Sequence, residues 1–361
     1  MRFEPQTAAV VTDPPAPSPP APAAPHQRRA RYPGKYPRRF QEKYKEHQPA
    51  RYADTVAKVL ASGKTPAGTH RPVMVAEILE VLAPRPGETA VDCTLGFGGH
   101  ARELLARIQP GGRLLGLDAD PIELPRAEAR LCALGFGAEV FLARRSNFAG
   151  LPQALAAAGM TGADVILADL GVSSMQLDDP GRGFSVKQEG PLDLRMNPQR
   201  GQPASVFLER VSPGALQKLL ADNADEPRAA ALAPALAGKF FATTTALAGA
   251  VAGALPRLNR EDCGLSIRRV FQALRIAVND EFTALETFLR NLPACLHPGG
   301  RAAVLAFHSG EDRRVKKYFE AGRRGGVYAE ISGEVLRPGR AELRANPRSA
   351  PAKLRWARKA P

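Results

Sequence analysis

Between Pro66 and Leu170 the chain alternates short apolar runs with stretches whose apolar residues recur every three or four positions. Ala90 to Leu95 reads as a strand, Ala101 to Ile108 as a helix, Arg113 to Leu117 as a second strand, and Ile122 to Leu134 as a second helix opened by Pro121. Glu139 to Leu142, Leu151 to Ala158 and Asp164 to Leu167 continue the series as strand, helix and strand. Helical spacing buries one stripe of a helix, whereas a short continuous apolar run suits a strand covered on both faces. The alternation therefore predicts an α/β fold with a parallel sheet between two layers of helices.

After Leu170 the alternation stops. Residues 173–269 are turn-rich at first, through Asp178-Asp179-Pro180-Gly181-Arg182-Gly183, and then Ala/Leu-rich and helical, interrupted by Pro203, Pro213, Pro227 and Pro234. They read as an inserted helical subdomain. From Val270 the α/β pattern returns with a long helix to about Leu296, a Pro298-Gly299-Gly300 turn, a strand Ala302 to Phe307 and a further helix opening near Ser309 and Asp312. The expected division is a tail (1–65), a first α/β part (66–172), the insertion (173–269) and a second α/β part (270–361).

Charge changes the picture at the two ends. Of the formal +14, residues 1–51 supply 10 Lys/Arg against 4 Asp/Glu and residues 337–361 supply 8 against 1, while the stretch between holds 32 against 31. Eleven of the first fifty residues are Pro and apolar residues are sparse, so the segment cannot bury enough surface to fold and reads as a disordered basic tail. Its Arg28, Arg29, Arg31, Lys35, Arg38 and Arg39 alternate with Tyr32, Tyr36 and Phe40, a mixture that suits RNA and equally suits a solvated tail without a specific partner. Cys93, Cys132, Cys263 and Cys295 form no C-x-x-C pair, which argues against a disulfide framework or a metal site and fits a reducing, cytoplasmic setting. No apolar run is long enough to suggest a membrane span.

The candidate chemistry lies where the strands end. The first strand runs into Asp92-Cys93-Thr94-Leu95-Gly96-Phe97-Gly98-Gly99-His100 and then a helix, a turn that lets a ligand approach the backbone and the free N–H groups of the helix N-terminus. Asp118, twenty residues past Gly98 at the end of the second strand, is placed to accept the hydroxyls of an adenosine ribose. Asp169 ends the fourth strand. In a doubly wound sheet the ligand lies beyond the strand ends where strand order reverses, so Gly98 and Asp169 are expected to face one crevice. A dinucleotide would satisfy the same glycine pattern.

Longer strings narrow the choice. VDCTLGFGGHA from Val91, GLDADP from Gly116, DLGVSSMQLDDPGRGFS from Asp169, GPLDLRM from Gly190, FQALRIAVNDE from Phe271, FHSGEDRRVK from Phe307 and the closing NPRSAPAKLRW closely resemble the MraW/RsmH family. These are S-adenosylmethionine-dependent methyltransferases acting on cytosine N4 of small-subunit (16S) ribosomal RNA in its decoding region. The resemblance implies a class I (Rossmann-like) methyltransferase fold, S-adenosylmethionine as cofactor, and small-subunit ribosomal RNA or the assembled small subunit as partner. It places Gly98, Gly99 and His100 around the methionine part, Asp118 at the ribose, Phe148 beside the adenine, and Asp169 and Gln176 at the remaining cofactor positions. The tail before Thr69 has no counterpart in the family's usual pattern. Asn223-Ala224-Asp225-Glu226, Gly310 and Gly264 to Arg269 depart from that pattern.

Cytosine N4 is a poor nucleophile, its lone pair being drawn into the ring, so an acceptor that holds an N4 proton would stabilise the charge developing in transfer. Asp169 is the catalytic candidate. Methylation at ring carbon C5 would instead require a thiolate, and no Cys stands where the fourth strand meets the crevice. Arg182, Lys187, Arg195 and Arg200, near Phe184, are candidate RNA contacts or, offset by Asp178, Asp179, Glu189 and Asp193, a solvated charged face, and His308 is either a substrate contact or a helix cap. A methyltransferase of the same fold acting on DNA or protein, or an RNA-binding assembly module, would share much of this sequence.

Overall fold

The computed structural model describes residues 72–361; the expected basic tail lies outside the described residues. The chain folds as α1 (Val75–Leu82), β1 (Thr89–Asp92), α2 (Gly99–Ile108), β2 (Arg113–Asp118), α3 (Glu123–Ala133), β3 (Phe141–Arg145), α4 (Leu151–Ala157) and β4 (Ala163–Asp169). A short helix α5 (Ser174–Asp178) leads to α6 (Ala204–Arg210), α7 (Pro213–Ala224), α8 (Ala229–Leu236), α9 (Thr244–Ala254) and α10 (Arg260–Asn279). Then come α11 (Glu281–Cys295), β5 (Leu296–Ala306), α12 (Ser309–Arg324), β6 (Tyr328–Ile331), α13 (Arg340–Ala345) and β7 (Lys353–Lys359).

The seven strands form one sheet in the order β3-β2-β1-β4-β5-β7-β6, in which only β7 runs against its neighbours. This is the mostly parallel, doubly wound class I arrangement. Successive residues feed opposite faces, as the pleat requires. Val91, Leu115, Ile166 and Val304 pack with Leu155 of α4, Phe288 of α11 and Phe319 of α12, whereas Ala90, Leu114, Val165 and Leu305 pack with Ile78, Leu104 and Leu131 of α1, α2 and α3. A third core, from Phe184 to Leu274, is built from α6 to α10 and the turns before them.

Two expectations need correction. The third strand runs from Phe141 to Arg145, not from Glu139 to Leu142, because Gly137 to Val140 form the turn into it. The single long helix from Val270 is two helices, α10 and α11, separated at Asp280, whose φ of 51° and ψ of 40° break the helical path. Their apolar stripes run on in phase across the break, which hides it. The C-terminal basic segment, residues 337–361, contains α13 and β7, and Lys353 and Arg355 of β7 pair with Asp312 of α12 at 3.8 and 2.6 Å, so part of its charge is neutralised in the fold.

Candidate active site

The strand order reverses between β1 and β4, and a cavity of about 530 Å³ opens there beyond the strand ends. Its floor is the turn after β1. Gly96 and Gly98 have φ of 49° and 82°, a region costly for residues with a Cβ. Gly98 N–H donates to Leu95 O, closing the turn, and α2 starts at the next residue. A Cβ on Gly99 would lie 2.4 Å from Cγ of Pro72, so that position also admits no side chain.

Asp118 ties the turn to β2. Its Oδ2 accepts from Gly96 N–H at 2.7 Å and its Oδ1 from Asp120 N–H at 2.8 Å. Burial pushes its carboxyl up to about 6, against the lowering effect of those two bonds. Phe148 also lines the cavity, held edge-on against Phe288 at 5.7 Å between ring centres. Asp169 enters from β4, its N–H donating to Thr94 Oγ1 at 2.7 Å.

Of the residues singled out from sequence, Gly99, His100, Asp118, Phe148, Asp169 and Gln176 all line this one cavity. Gly98 does not line it and instead shapes the turn. Gln176 has its amide engaged: Nε2 donates to Asp120 Oδ2 at 2.7 Å and Oε1 accepts from Ser173 N–H at 2.9 Å. Asp120, completely buried, also receives Arg182 at 2.8 Å, and Arg182 donates to the carbonyls of Arg195 and Met196. Arg182 is therefore an internal brace rather than an RNA contact, and Arg195 is paired to Asp193 at 2.7 Å; Lys187 and Arg200 are exposed. His308 caps α12 in a reciprocal capping box with Glu311 and lies outside the cavity wall.

The sequence reading missed several wall residues. Arg275 of α10 and Glu281 of α11 form a bidentate pair at 2.8 and 2.9 Å across the Asp280 break, and both face the cavity with Phe282 and Glu311. The string FQALRIAVNDE held Arg275 and Glu281 in view, but the uninterrupted helix expected there concealed that they bracket a break. Cys93 also lines the cavity, and burial together with Asp92 drives its thiol well above its ordinary 9.0, so it offers no thiolate.

The three departures from the family pattern meet α12 or each other. Asp225 receives Ser309 Oγ at 2.8 Å and pairs with Arg313 at 3.0 Å. Glu226 accepts from Ser266 Oγ at 3.1 Å. A Cβ on Gly310 would come within 2.7 Å of Cζ of Phe282.

Residues 67–360 match the model of the MraW methylase family. Ribosomal RNA small subunit methyltransferase H 2 of Alkaliphilus metalliredigens is 50% identical over 343 residues, covering 92% of this chain and 98% of that protein. Ribosomal RNA small subunit methyltransferase H 1 of Lachnoclostridium phytofermentans is 46% identical over 344 residues, covering 93% of each. The corresponding methyltransferase H of Anaeromyxobacter sp. (strain K) is 41% identical over 305 residues, covering 79% of this chain and 96% of its own length. Residues 72–361 make up about four-fifths of the chain, so the first two matches extend upstream of Pro72. The family model itself begins at residue 67, while these two relatives also match part of the region upstream of it. A match that runs through both halves of the sheet and the helices between them covers the whole described unit, and the chain is a member of the MraW methylase family.

Proposed function

We propose that this chain transfers a methyl group from S-adenosylmethionine to the exocyclic N4 of a cytosine in the decoding region of small-subunit (16S) ribosomal RNA, in the cytoplasm. The observation that carries the reading is Asp169: it ends β4 in the cavity wall beside the glycine turn, and its Oδ1 is buried with no hydrogen-bond partner among the described residues. An orphaned acceptor at that point fits a ligand that brings a donor, as an amine does.

The residues present also fit the cofactor. The first N–H groups of α2, at Gly99 and His100, have no intrahelical acceptor and suit the methionine carboxylate, Asp118 suits the ribose, and Phe148 offers an apolar face for adenine. When bound, the sulfonium supplies an already activated methyl group, so the protein's work is positioning and exclusion of water. Asp169 accepts an N4–H and thereby favours the tetrahedral nitrogen that carries positive charge during transfer. The neutral thiol of Cys93 supports an amine over ring carbon C5 as the acceptor, because C5 chemistry needs a thiolate.

The helical core from Phe184 to Leu274, continuous with the Asp169 to Gln176 segment, is assigned to holding the RNA so that the target base can leave its stack. Small-subunit RNA or the assembled subunit is the partner, and the basic N-terminal region adds phosphate contacts. Mass spectrometry of nucleosides from small-subunit RNA, with and without the gene, tests the activity; N4-methylcytidine should vanish with the gene. Methyl groups appearing only on DNA or protein would overturn it. Deleting residues 1–60 should weaken RNA binding and flatten its salt dependence without changing cofactor affinity.

A further inference from the structure

Glu123 is the first residue of α3 and is 5% exposed. Its Oε1 accepts from Arg126 at 2.7 Å. Its Oε2 is buried and has no hydrogen-bond partner among the described residues. The residue lines the main cavity together with Asp118, Ala119, Asn147 and Phe148. Asp118 already accepts one backbone N–H on each oxygen, which reduces what it can offer a pair of adjacent hydroxyls.

We propose that Glu123 is a second acidic contact for the nucleoside end of the cofactor, Oε2 accepting one ribose hydroxyl while Asp118 accepts the other. The inference rests on S-adenosylmethionine being the ligand of this cavity. A buried carboxylate oxygen without a donor is costly, and a hydroxyl arriving from the cavity removes that cost. The positive end of the α3 dipole and Arg126 keep the carboxylate available, although burial still lifts its pKa. Glu123 also borders a smaller hollow of about 290 Å³ beside Met175 and Arg182, but no described donor there reaches Oε2.

The test uses the full chain and S-adenosylhomocysteine, with its 2′-deoxy and 3′-deoxy forms as probes in titration calorimetry. Glu123→Ala should weaken binding of the parent ligand about tenfold, the scale of one hydrogen bond to a charged group. The same substitution should leave one of the two deoxy probes within about twofold, since that probe lacks the hydroxyl Glu123 accepts. Glu123→Gln, which keeps the shape and the bond from Arg126, should show the same selectivity at about threefold and reports even if the Ala variant fails to fold. Equal losses for all three ligands, or no loss, would overturn the Glu123 contact while leaving the cofactor assignment standing. A parent protein that does not bind S-adenosylhomocysteine at all would overturn both.

Discussion

Nε2 of His100 stands 3.5 Å from Oδ2 of Asp169, so α2 engages one end of the β4 carboxylate and leaves the other end to the cavity. Burial alone would hold the imidazole neutral, but the nearby carboxylate of Asp169, with Asp92 and Glu103 behind it, outweighs burial and raises its pKa above the ordinary 6.5. The folded chain therefore binds this proton more tightly than the unfolded chain. The stabilisation is fully present below about pH 6.5 and is lost as pH rises through the folded value. Calorimetry from about pH 5.5 to about pH 9 should show a steeper fall in Tm for the parent than for His100→Gln. Parallel curves would mean that the imidazole does not titrate in that window.

Asp92 is expected to work in the same direction at lower pH. Burial pushes its carboxyl up to about 6 from 3.8, and its Oδ2 has no partner among the described residues. Below the ordinary carboxylate range it is protonated in both states, and as pH rises through 6 its ionisation costs the fold about 3 kcal/mol. Asp92→Asn keeps an acceptor for Thr94 N–H and removes the charge. Urea unfolding at pH 8 should give a gain of about 1–3 kcal/mol, and an unchanged midpoint would contradict this burial cost.

Asp169→Ala should lower the single-turnover methylation rate far more than RNA affinity, because an acceptor used as the amine becomes cationic stabilises the transition state. Asp169→Asn retains an oxygen but loses the charge and should fall between. If saturating S-adenosylmethionine restores the rate in both variants, Asp169 serves binding only.

The packing of Gly310 against Phe282 gives a stability prediction. Gly310→Ala forces its Cβ into the Phe282 ring and should cost about 1–3 kcal/mol, as overpacking does. Phe282→Leu should relieve much of that cost in the double variant. Additive losses from denaturant unfolding would show that the two side chains do not compete for space.

Removing Arg182 leaves Asp120 buried with its charge uncompensated, so Arg182→Ala should cost about 3–5 kcal/mol. The exposed Lys218–Asp222 pair supplies the contrast: Lys218→Ala should change stability by less than about 1 kcal/mol. Comparable effects in unfolding experiments would refute the brace assigned to Arg182.

β1, β2 and β4 are legible in the sequence because these central strands are covered on both faces and so read as apolar runs, whereas the edge strand β3, only partly buried after Phe141, is misplaced by that reading. The positions of Asp118 and Asp169 at strand ends are legible with the central strands. β7 is not legible: Lys353-Leu354-Arg355-Trp356-Ala357-Arg358-Lys359 alternates, and its cations look like a solvated tail until Asp312 is brought beside them. Nor could periodicity show that the Gln176 amide belongs to Asp120, or that Arg275 and Glu281 bracket a break. Both depend on partners that only the fold supplies.

The sheet order carries a consequence for synthesis. β6 leaves the ribosome before β7, yet it reaches the sheet only through β7, which lies between it and β5. During translation β6 must wait unpaired while α13 and β7 are made. Arg348 and Pro351, which line the cavity, belong to the same late segment, so a nascent chain stalled before Arg348 would carry the glycine turn and Asp169 but lack part of the cavity wall.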